Sequence, residues 1–193
     1  PANFAIGAQN VSEVPSEGAH TGETVASMLA RWGATHVLIG HSERRQRFGE
    51  THKSALDKMR SAIAQNLHVM LAVGETEAER DAGRTFEVIA EQLREEYGKL
   101  TPEERERVDV AYEPVWAIGT GKTATPEQAE EVHRFIRAWL AEQAGAERAA
   151  ATRILYGGSV NQANATSLMG RSHVDGGLVG GASLKGPDFA QVI

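Results

Sequence analysis

The sequence predicts an α/β protein built on parallel strands. Six short apolar runs alternate along the chain with segments of helical periodicity. The runs are largely continuous in their apolar character, which is typical of parallel strands covered on both faces. No shift in composition marks a linker, so we expect a single domain over residues 1–193. The predicted strands are Phe4–Ala8, His36–Gly40, His68–Val73, Val108–Tyr112, Arg153–Tyr156 and Val174–Val179.

Two of the intervening helices are predicted by apolar residues spaced three and four positions apart. Gly33 is placed to end the first of these helices. The apolar faces consist of Val25, Met28, Leu29 and Trp32 in the first helix and of Leu56, Met59 and Ile63 in the second.

Two further helices are predicted from their first residues. Thr76 and Thr125 each precede a Glu or Gln by three positions, the pattern of a capping box. Pro126 stands at the first helical position of the later helix, where its fixed φ is tolerated. We expect the helix after Thr76 to be long and charged and to extend to about Leu100.

Composition excludes several classes of function. The net charge is −6, so the chain lacks the basic surface expected of a nucleic-acid-binding protein. It contains no cysteine, which rules out disulfides and thiolate chemistry within it. No apolar run approaches the roughly 20 residues of a membrane span, and no signal-peptide pattern opens the chain. We therefore expect a cytoplasmic protein with neither a nucleic-acid nor a membrane partner.

Residues able to do chemistry follow nearly every predicted strand. An open doubly wound sheet would gather such residues around one switch point. A closed barrel instead collects them in a ring at the carboxyl ends of all its strands, and the sequence favours this arrangement. The residues concerned are Gln9, Asn10, His41, Glu75, Glu113, Gly157–Ser159 and Gly180–Ser183.

Glu113 is the strongest candidate for a general base. It stands where the fourth strand ends, directly before a segment stiffened by Pro114 and terminated by Gly119 and Gly121. Such a segment can close as a lid, and proton abstraction needs a base shielded from water. The competing interpretation is a surface carboxylate ahead of a loop. A nucleotide-binding P-loop is excluded by spacing, because its leading glycine would fall at Trp116.

His41 follows the second strand and could polarise a carbonyl or shuttle a proton. A helix beginning at Ser42 would aim its N–H groups at the imidazole, lower its pKa and keep it neutral. The alternative is a capping histidine before a solvated run of charges. Glu43 could orient its neighbours, but pairing with Arg44 or Arg45 is the simpler role on local evidence.

Glycine-rich turns follow the last two predicted strands, at Gly157–Ser159 and at Gly180–Ser183. Successive amides in such turns can form a nest for a phosphate, and barrels commonly hold phosphate at this place. One such turn alone is weak evidence, whereas two in these loops favour an anion site. Lys122 and Lys185 are interpreted as solvated rather than as ligands.

Four long segments together resemble the triosephosphate isomerase family, in the family's order. The resemblance covers the chain from Ile6 onward and implies a (β/α)8 barrel of the TIM class with about six of its eight units present. It also implies the interconversion of dihydroxyacetone phosphate and glyceraldehyde 3-phosphate through an enediolate, a reaction of glycolysis and gluconeogenesis. The segments are Gly40–Glu50, Ala111–Lys122, Tyr156–Val160 and Asp175–Leu184.

The resemblance assigns a role to each candidate residue. Glu113 is implied as the base, His41 as the neutral electrophile and Glu43 as the second acidic residue of the site. The lid and the phosphate clamp are implied as two further groups. The lid consists of Pro114, Val115, Trp116, Ala117, Ile118, Thr120, Gly121 and Lys122, and the clamp of the backbone at Gly119, Ser159, Gly180 and Gly181.

The resemblance also bears on partners. It implies a homodimer in which the loop Val11–Glu23 reaches the partner's site, with Thr21 at its tip. It implies no metal and no organic cofactor, because moving a proton between adjacent carbons needs only a base, an acid and a fixed charge. The implied partners are therefore a triose phosphate and a second copy of the chain.

The sequence departs from the family in length. Barrels of this class run to about 250 residues, and the first strand of this sequence resembles the family's third. The family's Asn-x-Lys motif, which supplies an active-site lysine, does not occur among the 193 residues. We therefore expect this polypeptide by itself to be impaired, because charge stabilisation in the transition state is a large catalytic term.

Two other functions compete with the isomerase. A non-catalytic barrel could bind a sugar phosphate through the glycine-rich turns without turning it over. A barrel used only as an interaction scaffold would leave the ring of loop residues unexplained. Glu113 and the lid argue for catalysis, since binding alone requires neither.

Overall fold

The structure is a computed structural model that describes residues 4–192. Strands and helices alternate along the chain, as expected. The strands are β1 (Gly7–Ala8), β2 (His36–Ile39), β3 (His68–Val73), β4 (Val108–Tyr112), β5 (Ile154–Tyr156) and β6 (Gly176–Gly177). The helices are α1 (Ala26–Arg31), α2 (Ser42–Phe48), α3 (His52–Ala64), α4 (Glu77–Asp81), α5 (Thr85–Glu95), α6 (Pro102–Arg105), α7 (Pro126–Ala144), α8 (Ala146–Ala151), α9 (Ala165–Met169) and α10 (Gly186–Phe189).

The described chain divides into two compact units. The first comprises residues 4–72 and 92–109. In it β2 pairs in parallel with β1 and β3, with His36 opposite Gly7 and His68. The N–H of Val69 donates to the carbonyl of Arg107, which continues the pairing toward the start of β4. Its core contains the fully buried side chains of Ile39, Met59, Leu67, Leu71, Leu93 and Tyr97.

The second unit comprises residues 73–91 and 110–192. In it β5 pairs in parallel with β4 and with β6, with Tyr156 opposite Tyr112 and Gly177. Helix α7 lies along this sheet and buries one apolar stripe, as its periodicity requires. The core contains Tyr112, Ile136, Leu140, Ile154, Tyr156 and Leu168.

All six predicted strands form, and their parallel pairing confirms the predicted fold class. The first and last are shorter than predicted, because pairing stops early. In β1 only Gly7 and Ala8 are in register with β2, and the side chain of Phe4 is exposed. In β6 only the two glycines are in register, opposite the end of the three-residue β5.

The predicted capping boxes are confirmed, but the prediction of one long helix after Thr76 is wrong. Thr76 accepts from the N–H of Glu79, whose carboxylate accepts from the N–H of Thr76. The helix then stops at Asp81, because Gly83 adopts a left-handed conformation with φ +70°. A second helix, α5, starts at Thr85, so the apolar and charged pattern belongs to two helices.

His133 gives the second unit a dependence of stability on pH. It is fully buried on α7, where its Nδ1–H donates to the carbonyl of His173. Burial lowers the pKa of His133 from 6.5 to about 4. Between these values the unfolded chain binds a proton that the folded chain does not, so stability falls as the pH drops.

We predict a loss of about 3 kcal/mol in the free energy of unfolding from this histidine as the pH falls from 6.5 to 4. Urea unfolding of the parent chain and of His133→Asn, measured at half-unit steps of pH, checks this. Asn keeps a donor for His173 but does not titrate, so its stability should change less over the same interval. Equal slopes in the two proteins would contradict the prediction.

Candidate active site

His41 lies directly after β2 and is the N-cap residue of α2. Its Nδ1 accepts a hydrogen bond from the backbone N–H of Glu43 at 3.2 Å. A ring nitrogen that accepts carries no proton, so this geometry requires a neutral imidazole with its proton on Nε2. The predicted helix start at Ser42, with an N–H aimed at the imidazole, is confirmed.

The two arginines after Glu43 are held by buried carboxylates. Arg44 Nε lies 2.9 Å from an oxygen of Glu50, and Arg45 Nη1 lies 2.7 Å from an oxygen of Glu96. Both carboxylates are almost fully buried, with side-chain exposures of 1% and 0%. The sequence interpretation that Glu43 pairs with one of these arginines is therefore wrong.

Glu43 itself lies on the outer side of the first turn of α2. Its side chain is 55% exposed, and its ion pair is with Arg47 at 4.0 Å, one helical turn further on. An exposed pair at this spacing contributes little to stability. Glu43 also lines a cavity of about 260 Å³ at the carboxyl ends of β1 and β2. The other lining residues are Gln9, Asn10, Leu38, His41, Arg44 and Phe48.

Glu113 is buried at the end of β4, with 2% of its surface exposed. Its N–H donates to the carbonyl of Val73 at 2.8 Å, which fixes the main chain at the end of β3. The alternative interpretation of Glu113 as a surface carboxylate is therefore wrong. A carboxylate at this depth is shielded from bulk water, the setting that proton abstraction requires.

Two glycines make room for Glu113. A Cβ on Gly74 would stand 1.7 Å from the carbonyl oxygen of Glu113, and one on Gly157 would stand 2.9 Å from its Cγ. Both distances are shorter than any real contact, so side chains are excluded at these positions. Sequence reasoning assigned Gly157 only to a phosphate turn and missed Gly74. The available signal was a glycine directly after the apolar run of β3.

Gly74→Ala is expected to cost about 1–3 kcal/mol of stability through overpacking and to lower kcat by displacing Glu113. A misplacement of 1 Å in a catalytic group can cost roughly 10²-fold. Urea unfolding and steady-state kinetics measure the two effects. Gly186→Ala is the matched control, because in the described chain the added Cβ would have nothing within 4 Å beyond its own chain neighbours and helix backbone. Unchanged kcat in Gly74→Ala would contradict the positioning.

The predicted lid segment is tied down by Glu75, a fully buried carboxylate after β3. Its Oε1 accepts from the indole of Trp116 at 2.9 Å and from the hydroxyl of Tyr112 at 3.1 Å. Burial, followed by the charge of Glu75, raises the pKa of Tyr112 well above its ordinary value, so the phenol remains a donor. Arg80 pairs with Glu75 at 3.0 Å and stacks 4.6 Å over the ring of Trp116.

The far end of the lid segment is built from glycines with positive φ. Gly119 and Gly121 have φ of +67° and +80°, a conformation that other residues rarely adopt. Lys122, interpreted as solvated, has a half-exposed side chain that forms an ion pair with Glu77 of α4. The segment is thus anchored at Trp116 and at Lys122, with the glycines between them.

The two glycine-rich turns follow paired neighbouring strands of the second unit. Ser159 lies after β5, and its carbonyl accepts from the side chain of Asn164 at 2.9 Å. Gly180 and Gly181 lie after β6 at the start of a short 3₁₀ turn, and both are exposed. Because β5 and β6 are adjacent and parallel, the turns lie at the same edge of their sheet.

Neither a membrane-spanning helix nor a cluster of metal ligands occurs in the described part of the chain. None of the helices is long and apolar enough to cross a bilayer. Within residues 4–192, no group of three or more histidine, aspartate or glutamate side chains is arranged to hold a metal ion.

Comparison with known proteins gives one consistent result. The family model described as triosephosphate isomerase matches residues 1–193. The glycosomal triosephosphate isomerase of Trypanosoma cruzi is 49% identical over 190 residues, which is 98% of this chain and 74% of that protein. The triosephosphate isomerase of Paracidovorax citrulli is 51% identical over 190 residues, and that of Chloroherpeton thalassium is 50% identical over 177. These cover 98% and 92% of this chain, and 74% and 70% of the relatives. With its parallel β/α units, the chain belongs to the triosephosphate isomerase family.

Proposed function

We propose that this chain interconverts dihydroxyacetone phosphate and glyceraldehyde 3-phosphate by proton transfer through an enediolate. The observation that carries the proposal is Glu113, a carboxylate buried at the carboxyl end of a parallel strand between Gly74 and Gly157. Burial shields such a base from water, and the bond of its N–H to the carbonyl of Val73 holds its main chain in one place. Glu113 removes the proton from one carbon and returns it to the adjacent carbon.

His41 is proposed to stabilise the oxygen of the enediolate. With Nδ1 engaged by the N–H of Glu43, the ring presents a proton on Nε2 as its donor. A neutral donor can both donate to the developing charge and exchange the proton between the two oxygens. Glu43, at the rim of the same cavity as His41, is proposed as the second acidic residue of the site.

The phosphate of the substrate is proposed to bind to main-chain amides at Gly119, Ser159, Gly180 and Gly181. Glycine permits the close backbone approach that a nest of amides around an anion requires. The lid, residues 114–122, is proposed to close over the substrate by exchanging the bond between Trp116 and Glu75 for contacts around the phosphate. Closure would exclude water from the proton transfer.

A coupled assay of glyceraldehyde 3-phosphate formation tests the proposal. It is run on the 193-residue chain and on a chimera with the N-terminal segment of the Paracidovorax citrulli relative placed ahead of Pro1. Turnover by either protein, abolished by Glu113→Gln, supports the isomerase. Saturable binding of the triose phosphate without turnover in both would support the non-catalytic binder instead.

A homodimer is also proposed, with residues of the first unit forming the interface. At the base of the loop Val11–Glu23, the N–H of Ser12 donates a hydrogen bond to the carbonyl of Thr24. Within the loop, Glu17 forms an ion pair with Arg31 of α1 at 2.7 Å. Thr21 is exposed, and Phe48 beside a cavity of about 770 Å³ is 67% exposed. We propose that the partner's loop docks against this face. Light scattering after size exclusion tests it, and a monomer at all concentrations would end the proposal.

The compartment is proposed as the cytoplasm. One relative, the Trypanosoma cruzi protein, is named as glycosomal, so an organelle is the alternative. Fractionation of the source cells with an antibody against the chain would decide between the cytoplasm and an organelle.

A further inference from the structure

We infer that Arg45 is a positioning residue for His41, acting through the main chain of Gly40 and held in place by the buried carboxylate of Glu96. The inference rests on the role of His41 proposed above. Arg45 does not line the cavity beside His41. It is therefore not placed to contact a substrate bound there.

The guanidinium of Arg45 ties together the ends of two strands. Its Nε donates to the carbonyl of Gly40 at 2.7 Å, and its Nη2 donates to the carbonyl of Ala72 at 3.0 Å. Gly40 ends the β2 segment directly before His41, and Ala72 lies in β3. The planar fork of an arginine suits two separated carbonyls, which a lysine ammonium cannot reach together.

A second partner fixes the guanidinium itself. Arg45 Nη1 and Nη2 donate to the two oxygens of Glu96 at 2.7 and 2.9 Å, a bidentate pair. The Glu96 side chain is 0% exposed and also contacts His52 Nδ1 at 2.8 Å. A buried pair of this geometry has few alternative arrangements, so the donor to Gly40 is held in one orientation.

Gly40 is held from its other side by a separate buried carboxylate. Its N–H donates to Glu50 Oε1 at 2.7 Å, while Lys58 and Arg44 neutralise the charge of Glu50. Burial opposes ionisation here, but the hydrogen bonds and charge of Lys58 and the N–H of Gly40 lower the pKa of Glu50 below its ordinary value. Both polar groups of Gly40 are therefore bound to ionised side chains.

Gly40 is closely surrounded as well as hydrogen-bonded on both sides. Its φ is +78°, and a Cβ would stand 2.5 Å from Arg45 Nη2 and 2.8 Å from the Ala72 carbonyl. His41 follows directly in the chain. Its carbonyl accepts a hydrogen bond from the backbone N–H of Arg45 at 3.1 Å. The direction of the imidazole follows from this backbone, because its Nδ1 must meet the N–H of Glu43.

The decisive experiment separates positioning from stability. Arg45→Met leaves the buried Glu96 without its arginine, with the contact to His52 remaining, and is expected to lower both the melting temperature and kcat. Adding Glu96→Leu replaces the ion pair with apolar side chains, a change that is often neutral or stabilising. We expect the double variant to regain part of the melting temperature lost in Arg45→Met, since the carbonyls of Gly40 and Ala72 still lack the arginine donor. Its kcat should stay about 10-fold or more below the parent, with KM little changed.

Arg60→Met is the matched control. Arg60 lies in the same unit, donates to the carbonyl of Lys99 at 2.9 Å and lies 3.8 Å from Glu104. It should leave kcat unchanged. Arg45→Lys is the fallback if the double variant does not fold, since it keeps the charge beside Glu96 and loses the fork. Recovery of kcat together with stability in the double variant, or parental kcat in Arg45→Lys, would overturn the inference.

A readout independent of turnover keeps the inference separate from the proposed function. The ¹⁵N signals of the His41 ring, assigned through His41→Asn, report the hydrogen bond between Nδ1 and the N–H of Glu43. We expect them to shift in Arg45→Lys and not in Arg60→Met. If His41→Asn retains activity, the proposed role of His41 fails, whereas unchanged ring signals in Arg45→Lys contradict the role of Arg45.

Discussion

Glu113→Gln is expected to lower kcat about 10³-fold, within the range of roughly 10²–10⁴ that a general base contributes. The amide has nearly the same shape and fits between Gly74 and Gly157, but it cannot accept the proton from the substrate carbon. KM should change little, because the phosphate is proposed to bind to the main-chain amides of the glycine-rich turns rather than to Glu113. Both constants are measured by steady-state kinetics. The parent for these measurements is whichever protein is more active, the 193-residue chain or the chimera with the added N-terminal segment.

Glu87→Gln is the matched control for Glu113→Gln. Glu87 is a surface carboxylate of α5 with 62% of its side chain exposed, paired with Arg84 at 2.9 Å. It should leave kcat and the melting temperature within error of the parent, since such pairs contribute little. If Glu113→Gln retained more than about a tenth of the parental kcat, another residue would have to be the base.

His41→Asn is expected to lower kcat about 10²-fold or more while the melting temperature stays near that of the parent. Asn is a favoured N-cap residue, so its side chain can still accept from the first turn of α2. It cannot present the imidazole Nε2–H to an oxygen of the substrate. The variant therefore separates the two interpretations of His41 that the sequence left open.

His41→Ala completes this comparison. Alanine removes the cap as well as the ring, which costs about 1 kcal/mol of stability. If His41 only caps the helix, activity should follow stability, and His41→Asn should be fully active. If it is the electrophile, both variants should lose activity to a similar degree. Kinetics and thermal unfolding of the two variants, measured side by side, decide between these outcomes.

Local patterns were read correctly from the sequence where the interaction is itself local. The capping boxes at Thr76 and Thr125 join residues three positions apart, so they can be recognised without knowledge of distant contacts. The helix start at Ser42 follows the same logic. The predicted long helix failed at Gly83, because its charged pattern continues across a glycine that turns the chain.

Contacts between distant residues were not accessible in this way. Glu43 was interpreted as the partner of Arg44 or Arg45, yet Arg45 binds a carboxylate 51 positions later. The choice depends on which buried carboxylate the folded chain brings to the arginine, and a buried charge requires a partner far more than an exposed one does. The exposed Glu43 was therefore left with Arg47.

The amino-acid order alone was enough to specify the parallel β/α fold, the family and the chemical groups at the strand ends. Periodicity and motif spacing are properties of neighbouring residues, and they survive without coordinates. Only the folded chain revealed that Glu113 is buried, that Gly74 lies against it, and that Gly40 is held between Glu50 and Arg45. Burial and close approach arise from segments far apart in the chain, so they are decided when those segments pack together.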